Sequence, residues 1–186
     1  MPSFRTPQIV QLSPEAVSRA QAFADAVTST VDYRDSNQTQ IQKIRDDHFV
    51  SKLGEEAVRA VFESRKTIVE GPDYSIYNGK QKSWAADLKV NGLDVAVKTQ
   101  RRSAANRYGL SWTFQDSPER RDPILETPEA WVAFVVYEDA SSGFECIVYP
   151  LLKVKNLIFD PPMLPHLAGR KKVVYLEKLQ KRNLLK

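Results

Sequence analysis

The spacing of apolar residues changes along the chain, and the first third has the spacing typical of helices. Ser13-Pro14-Glu15 is a helix start, with a capping serine, a proline at the first helical position and an acid in the first turn. Apolar residues then follow every three or four positions as far as Val27, which predicts a helix. After a polar stretch, a second helix with one apolar face is predicted from about Thr39 to Arg65.

After Gly71-Pro72, short apolar runs alternate with turn residues, a pattern typical of strands. Asn91-Gly92 predicts a tight hairpin between a strand from Ser83 to Val90 and one from Leu93 to Thr99. Further strands are predicted at Leu110 to Phe114, Trp131 to Tyr137, Phe144 to Leu151 and Lys172 to Tyr175. A short helix is predicted over Leu152 to Ile158, and a basic helix from Leu176.

This order of elements predicts an α+β (mixed α/β) protein with a central mixed β-sheet flanked by helices. The almost wholly apolar run from Trp131 to Tyr137 is expected to be a central strand, buried on both faces. The length of 186 residues fits one main domain. We expect residues 1-38 to form an N-terminal helical extension and residues 39-186 to form that domain.

Composition excludes several classes of protein. A single cysteine, Cys146, excludes an internal disulfide framework and a cysteine-rich zinc site. No glycine pattern of a P-loop or a dinucleotide-binding fold is present, and no G-x-S-x-G motif of a serine hydrolase. No apolar run approaches 18 residues, and the first residues lack an apolar signal segment. The expectation is therefore an intracellular, cytoplasmic protein with no membrane partner.

Positive charge is concentrated near the end of the chain. The net charge is +4, but residues 170 to 186 contain seven basic residues and one acid, so the remainder is slightly acidic. A local basic patch of this kind is compatible with a nucleic-acid partner. A solvated, basic tail without a partner explains the same pattern.

The predicted hairpin places an acid on one strand and a lysine on the next. By two-residue alternation Asp94, Ala96, Lys98 and Gln100 share one face of the second strand. An unpaired ammonium group is costly to bury in an apolar strand, so Lys98 is expected to pair with Asp87 or Asp94. An ion pair between neighbouring strands, without any catalysis, is one interpretation.

The other interpretation is phosphodiester hydrolysis. This reaction needs a carboxylate that holds Mg²⁺, a second oxygen ligand and a cation near the attacked phosphate. Asp87 can supply the first, the backbone carbonyl of Val97 the second, and Lys98 the third.

These residues resemble the PD-(D/E)xK nuclease superfamily, in which an acid on one strand is followed by an acid-x-lysine unit on the next. Such enzymes often carry a Gly-Glu pair on a helix near the site, and Gly54-Glu55 lies on the second predicted helix. The resemblance covers roughly residues 46 to 137 and extends to phage-encoded and bacterial restriction-type proteins. It implies a restriction-endonuclease-like fold and a metal-dependent endodeoxyribonuclease that uses Mg²⁺ or Mn²⁺.

The resemblance also implies roles for individual residues. Asp87 would bind metal, Lys98 would position water and stabilise charge on the phosphate, and Gln100 would orient the site. Glu55 would be a further catalytic and metal-binding residue. Asp73, in the pair Pro72-Asp73, is a second candidate for the first acid, although Pro-Asp is also a common turn pair.

The chain departs from the superfamily at position 96, where Ala96 replaces the second acid. One interpretation moves the metal ligand to Asp94 or Glu55. Another shifts the motif, so that Gln100 serves in place of the lysine. The third is a degenerate site in a DNA-binding or assembly module that does not cut.

Basic residues around this region are candidate DNA contacts. Arg101, Arg102 and Arg107 follow the lysine strand, where we expect a loop that binds backbone phosphates. The full set of candidate DNA contacts is Arg101, Arg102, Arg107, Lys52, His48, Lys171 and Lys172. A solvated arginine loop and a solvated helix face are the alternatives. Cutting a duplex would require two sites, so a homodimer through the helix from Pro14 to Val27 is expected.

Overall fold

The secondary structure is taken from a computed structural model that describes residues 4–29, 40–77, 86–118, 120–139 and 143–185. The helices are α1 (Pro14–Thr28), α2 (Ile41–Glu63), α3 (Arg102–Tyr108) and α4 (Leu176–Lys181). The strands are β1 (Gln8–Gln11), β2 (Val69–Glu70), β3 (Leu88–Val90), β4 (Leu93–Arg101), β5 (Ser111–Gln115), β6 (Trp131–Tyr137), β7 (Glu145–Val148), β8 (Leu152–Lys153) and β9 (Lys171–Tyr175).

The main sheet is mixed and is flanked by helices, which confirms the predicted α+β class. Its order is β1-β7-β6-β4-β3-β2, and β8 also pairs with β6. Strand β6 runs parallel to β4, with Val97 opposite Ala133, while the other pairs of this sheet are antiparallel. β6 occupies residues 131–137 as predicted, and all of it except Trp131 is fully buried, as expected for a central strand.

The β3–β4 hairpin forms at the predicted turn. Asn91 and Gly92 both have positive φ, at 49° and 75°, which matches the right-handed twist of the flanking strands. The register pairs Leu88 with Val95. The first predicted residues of this hairpin, among them Ser83 and Trp84, lie outside the described part of the chain.

The two faces of the sheet are covered by different elements. On β4, Val95 and Val97 pack in the core under α2, whereas Ala96 packs in a second core on the opposite face. The antiparallel pair β5–β9 covers that second face, where the ring of Trp112 stacks on Phe134 at 4.6 Å between centroids. Alternation along β4 therefore sends successive side chains to two separate environments.

Helix α2 is the most deeply buried helix. Apolar residues of its inner face, including Leu53 and Phe62, have no solvent exposure. Its polar residues Lys52, Glu55 and Glu56 are buried as well, so the interpretation of a plain solvated face is wrong. The reason is α1, which packs along the side of α2 that would otherwise be exposed.

The apolar face of α1 is used inside the chain. Its buried residues are Ala16, Ala20, Ala24 and Val27, and α1 packs on α2. The surface expected to form a dimer interface is thus covered by α2. The N-terminal segment also contributes β1, which pairs with β7 at the edge of the sheet and which the sequence pattern does not predict.

Two predicted elements differ from the structure. The expected arginine loop is instead the end of β4 followed by α3, which ends at Gly109 with φ of 67°. The helix predicted over residues 152–158 is wrong, because β8 pairs with β6 there and a short 3-10 turn, Val154–Asn156, follows. Pairing with a central strand outweighs local helix propensity at this position. Among the described residues, no helix is long and apolar enough to cross a membrane.

Replacement of Gly54 should destabilise the protein. Helix α2 crosses β4 so closely that a Cβ atom on Gly54 would collide with the Thr99 side chain. We expect Gly54→Ala to cost about 1–3 kcal/mol in the free energy of unfolding, measured by urea denaturation. Relief of the contact in Gly54→Ala/Thr99→Ala should recover part of that loss. An increase in stability on Gly54→Ala, the usual effect inside a helix, would contradict this close contact.

Candidate active site

A wide groove lies between α2 and the segment that connects β5 to β6. Residues of α2, β4, this connecting segment and β9 line it. Its lining includes four charged residues, Lys52, Asp87, Lys98 and Asp122, which lie near enough for the other three to affect the pKa of Asp87. Together with Glu55 they form the acid–lysine centre. Glu55 lies next to Lys52 on α2 and is only 3% exposed.

Asp87 is fixed at the point where the β3–β4 hairpin opens. It directly precedes β3, and its carboxylate accepts a hydrogen bond of 2.7 Å from the backbone N–H of Val97 on β4. Gly71, with φ of 94°, packs against the Asp87 carbonyl and leaves no room for a side chain there. Burial raises the pKa of Asp87, against the opposing effects of this hydrogen bond and of the charges on Lys98 and Lys52.

Glu55 forms the second acid of the centre. Lys52 Nζ donates to its carboxylate at 2.6 Å, and Ser51 Oγ donates at 3.3 Å. Burial, followed by the negative charge of Asp87, raises the pKa of Glu55 to about 8 despite these donors. Repulsion by the charge of Asp87 is thus one cause of the raised pKa of Glu55, and a bound cation would oppose it.

Lys52 sits in an aromatic and acidic pocket. Its ammonium lies 4.9 Å from the ring centroid of Phe23 on α1 and 5.4 Å from that of Tyr74. Cation–π contacts of this kind partly replace the water that burial removes. The neighbouring Glu56 is bound by Arg19 and by the Tyr74 hydroxyl, so α1 and the segment after β2 both stabilise this side of the centre.

Lys98 pairs with a residue that the sequence pattern does not indicate. Its Nζ donates to Asp122 Oδ2 at 2.7 Å and lies 4.9 Å from the ring centroid of Phe114. The same carboxylate oxygen accepts from the backbone N–H of Gln115 at 3.1 Å. The predicted pairing of Lys98 with Asp87 or Asp94 is therefore wrong. Asp122 lies in an irregular segment without hydrophobic periodicity, so no sequence signal joins it to Lys98.

The other predicted residues of the lysine strand lie apart from the two acids. The Asp94 side chain is 55% exposed and faces Lys89 across the hairpin, with 3.9 Å between Nζ and Oδ1. The Gln100 amide donates to the Gly109 carbonyl at 3.1 Å and accepts from the Ser111 N–H at 3.0 Å. Gln100 thus links β4 to the start of β5, and its amide is engaged within the fold.

The three predicted arginine contacts are occupied to different degrees. Arg102 forms a bidentate ion pair with Glu138, with Nε to oxygen distances of 2.9 and 3.1 Å. Arg101 donates to a backbone carbonyl of α2 at 3.1 Å. Arg107 lies on α3 above the ring of Tyr108, with 5.4 Å to the ring centroid. Arg107 is therefore the arginine of this group with the least involvement in the fold.

The remaining predicted contacts lie on opposite walls of the groove. His48 on α2 meets Phe23 edge to face, with ring centroids 6.0 Å apart. Lys171, the first residue of β9, lines the other wall. Lys172 forms an ion pair with Asp116 at 2.8 Å instead.

Two buried carboxylates are the possible metal donors at the centre. Among the described residues, no group of three or more histidine, cysteine, aspartate or glutamate side chains is placed to hold a metal ion. Asp87 and Glu55 provide two carboxylates, and Mg²⁺ commonly takes one or two carboxylates and completes its shell with water and substrate phosphate. An ion on these two carboxylates alone would therefore need water and a substrate phosphate to complete its shell.

Comparison of the chain with protein-family models, with curated proteins and with solved structures gave no match. The resemblance to PD-(D/E)xK nucleases thus rests on the hairpin and helix residues of this chain alone. The function is accordingly inferred from the acid–lysine centre and the groove around it.

The stability of the protein should fall as the pH rises from about 4.5 to 8 in metal-free buffer. The pKa of Glu55 is about 8 in the fold against 4.5 ordinarily, so the unfolded chain releases a proton that the folded chain keeps. Each pKa unit corresponds to about 1.4 kcal/mol. Urea denaturation across this range should show a smaller fall for Glu55→Gln than for the wild type.

Glu63, an exposed glutamate of the same helix, offers a matched control. Glu63→Gln should keep the pH dependence of the wild type. Equal pH dependence in Glu55→Gln and in the wild type would show that Glu55 is ionised normally in the fold.

Proposed function

We propose that the protein is a Mg²⁺- or Mn²⁺-dependent endodeoxyribonuclease with a restriction-endonuclease-like fold. The observation that carries this proposal is the Asp87–Glu55 pair. Asp87 is bonded to the lysine strand and lines a groove with Lys98, and its charge opposes the ionisation of Glu55 on the buried helix by repulsion. A divalent cation would remove that repulsion, and a phosphodiester would complete its coordination.

The close crossing of α2 and β4 supports this proposal. Gly54 lets the helix approach Thr99 of β4, and the next residue, Glu55, then lies near Asp87. An acid before one strand, a lysine on the next and a Gly-Glu pair on the helix are the parts that the family resemblance implies. Their backbones are linked through β4: Val97 donates to Asp87, Lys98 follows Val97, and Gly54 packs on Thr99.

Among the alternatives for the acid missing at Ala96, the geometry favours Glu55. Glu55 is buried and feels the charge of Asp87, whereas Asp94 is exposed and faces Lys89. The Gln100 amide is bonded to the start of β5, which disfavours a shifted motif. Asp87 and Glu55 would therefore hold the metal ion.

The lysines have separate roles in this proposal. When bound, Mg²⁺ supplies Lewis-acid polarisation of the phosphate and lowers the pKa of a water ligand. Lys98, directed into the groove by Asp122, stabilises negative charge that develops on the phosphate. Lys52 balances the charge of Glu55. Cutting a duplex would require two copies, which would associate through a surface other than the covered face of α1.

The second candidate is a DNA-binding or assembly module on the same fold that does not cut. One observation favours it: Glu55 and Asp122 each already have a lysine counter-ion, Lys52 and Lys98 respectively. Internal ion pairs of this kind leave less demand for a metal ion. The absence of a third acidic ligand among the described residues points the same way.

Plasmid cleavage tests the enzyme directly. Supercoiled plasmid incubated with Mg²⁺, with Mn²⁺ or with chelator should be nicked or cut only when metal is present. Asp87→Ala, Glu55→Gln and Lys98→Ala should each lower the rate about 100-fold or more. Asp94→Asn, an exposed acid of the same strand, is the matched control and should cut normally. No cutting by the wild type would exclude the enzyme.

Metal binding separates the two candidates without relying on cleavage. A cation bound only by the folded state stabilises it by about 2.7 kcal/mol at 100 times its dissociation constant. For the nuclease, Mn²⁺ should raise the thermal unfolding midpoint of the wild type and of Asp94→Asn, but not that of Asp87→Ala. An unchanged wild-type midpoint together with retained DNA binding would identify the module instead.

A further inference from the structure

Several cations along the groove already have a counter-ion. Lys52 pairs with Glu55, and Lys98 pairs with Asp122, at 2.6 and 2.7 Å. On the outer part of α2, Lys43 pairs with an aspartate one turn further on, at 2.8 Å. These charges are largely satisfied before any substrate arrives.

Arg120 and Lys171 are different. Both line the groove and both are half-buried. Within the described part of the chain, neither side chain has a carboxylate oxygen at ion-pair distance. Two half-buried cations without a counter-ion form an unfavourable arrangement unless an anion lies between them.

The backbone fixes both residues in position. Lys171 begins β9 opposite Gln115 of β5. Gln115 in turn accepts a hydrogen bond of 3.0 Å from the backbone N–H of Asp122. Arg120 closes a tight turn with Ser117, in which each backbone N–H donates to the other residue's carbonyl, at 3.2 and 3.0 Å. Backbone hydrogen bonds and strand pairing therefore hold both residues in the wall of the groove.

The charges of this wall act on one another. Burial, and then the positive charge of Arg120, lowers the pKa of Lys171, while Asp47 of α2 and Asp122 oppose this. Lys171 is thus within electrostatic range of both acids. A guanidinium group with a nearby ammonium suits a phosphate, because the first offers paired donors and the second a compact charge.

We propose that Arg120 and Lys171 form a phosphate subsite that binds a backbone phosphate of the DNA strand lying in the groove. This inference rests on the proposed function for the identity of the ligand. Because Lys171 lies close to Asp122, the bound phosphate would be a neighbour of the one placed at Asp87 and Lys98. The subsite would set the position of the strand, whereas the acids would carry out the reaction.

Fluorescence anisotropy with a labelled duplex oligonucleotide in chelator tests the subsite without any cleavage. Arg120→Gln and Lys171→Gln should each weaken binding several-fold and reduce the slope of log K against log salt by about 1. Lys171→Arg keeps the charge and should bind as the wild type does. Lys172→Gln is the matched control, because it removes the same charge from the next residue, whose side chain is paired with Asp116. It should change binding by less than about twofold.

Thermal unfolding of each variant checks that the fold is kept. An unchanged salt slope in both glutamine variants, or an equal loss in Lys172→Gln, would overturn the subsite. So would a wild type that does not bind the duplex. A reduced slope in a protein that never cuts plasmid would support the subsite and refute only the nuclease. Plasmid cutting by the wild type, together with an unchanged salt slope in both glutamine variants, would support the nuclease and refute the subsite.

Discussion

The arrangement of the candidate centre depends on the close crossing of α2 over β4 at Gly54 and Thr99. A larger residue at position 54 would push the helix away from the sheet. Glu55 would then withdraw from Asp87, and the core beneath Leu53 and Val58 would open. The absence of a side chain at Gly54 thus affects both the packing of the main core and the approach of Glu55 to Asp87.

The centre is a balance of charges that the fold does not fully neutralise. Two acids and two lysines come from α2 and from the hairpin, and Asp122 adds a third acid from the far wall. Burial favours the neutral forms of Asp87 and Glu55, whereas the nearby lysines favour their charged forms. Raised pKa values of acids beside a groove are a common mark of a functional site.

Local signals predicted most of the fold. The Asn91-Gly92 turn, the apolar run of β6 and the capped start of α1 each have their own sequence signature, and all three formed where predicted. α3 was missed because it has no buried residue and so no hydrophobic periodicity. β1 and β8 were missed because their structure comes from pairing with distant strands.

The candidate site was less predictable from the sequence. Asp87, Glu55 and Lys98 have recognisable positions on a hairpin and a helix, so their types and spacing were informative. The Lys98–Asp122 pair joins residues on separate segments, and a backbone hydrogen bond from Gln115 holds Asp122 in place. No short sequence motif predicts such a contact. The burial of Lys52 and Glu55 could not be predicted from the sequence either, because it depends on where α1 packs.

The parallel pairing of β4 and β6 has a consequence for how the protein folds. Parallel neighbours cannot be joined by a tight turn, so the chain makes a crossover through residues 102–130. That crossover contains β5 and Asp122, whereas Asp87 and Lys98 belong to a hairpin that closes locally. Contacts between distant segments form at a higher entropic cost than local ones. The hairpin that carries Asp87 and Lys98 can therefore form early in folding, whereas its contacts with Glu55 and with Asp122 both join distant segments and form later.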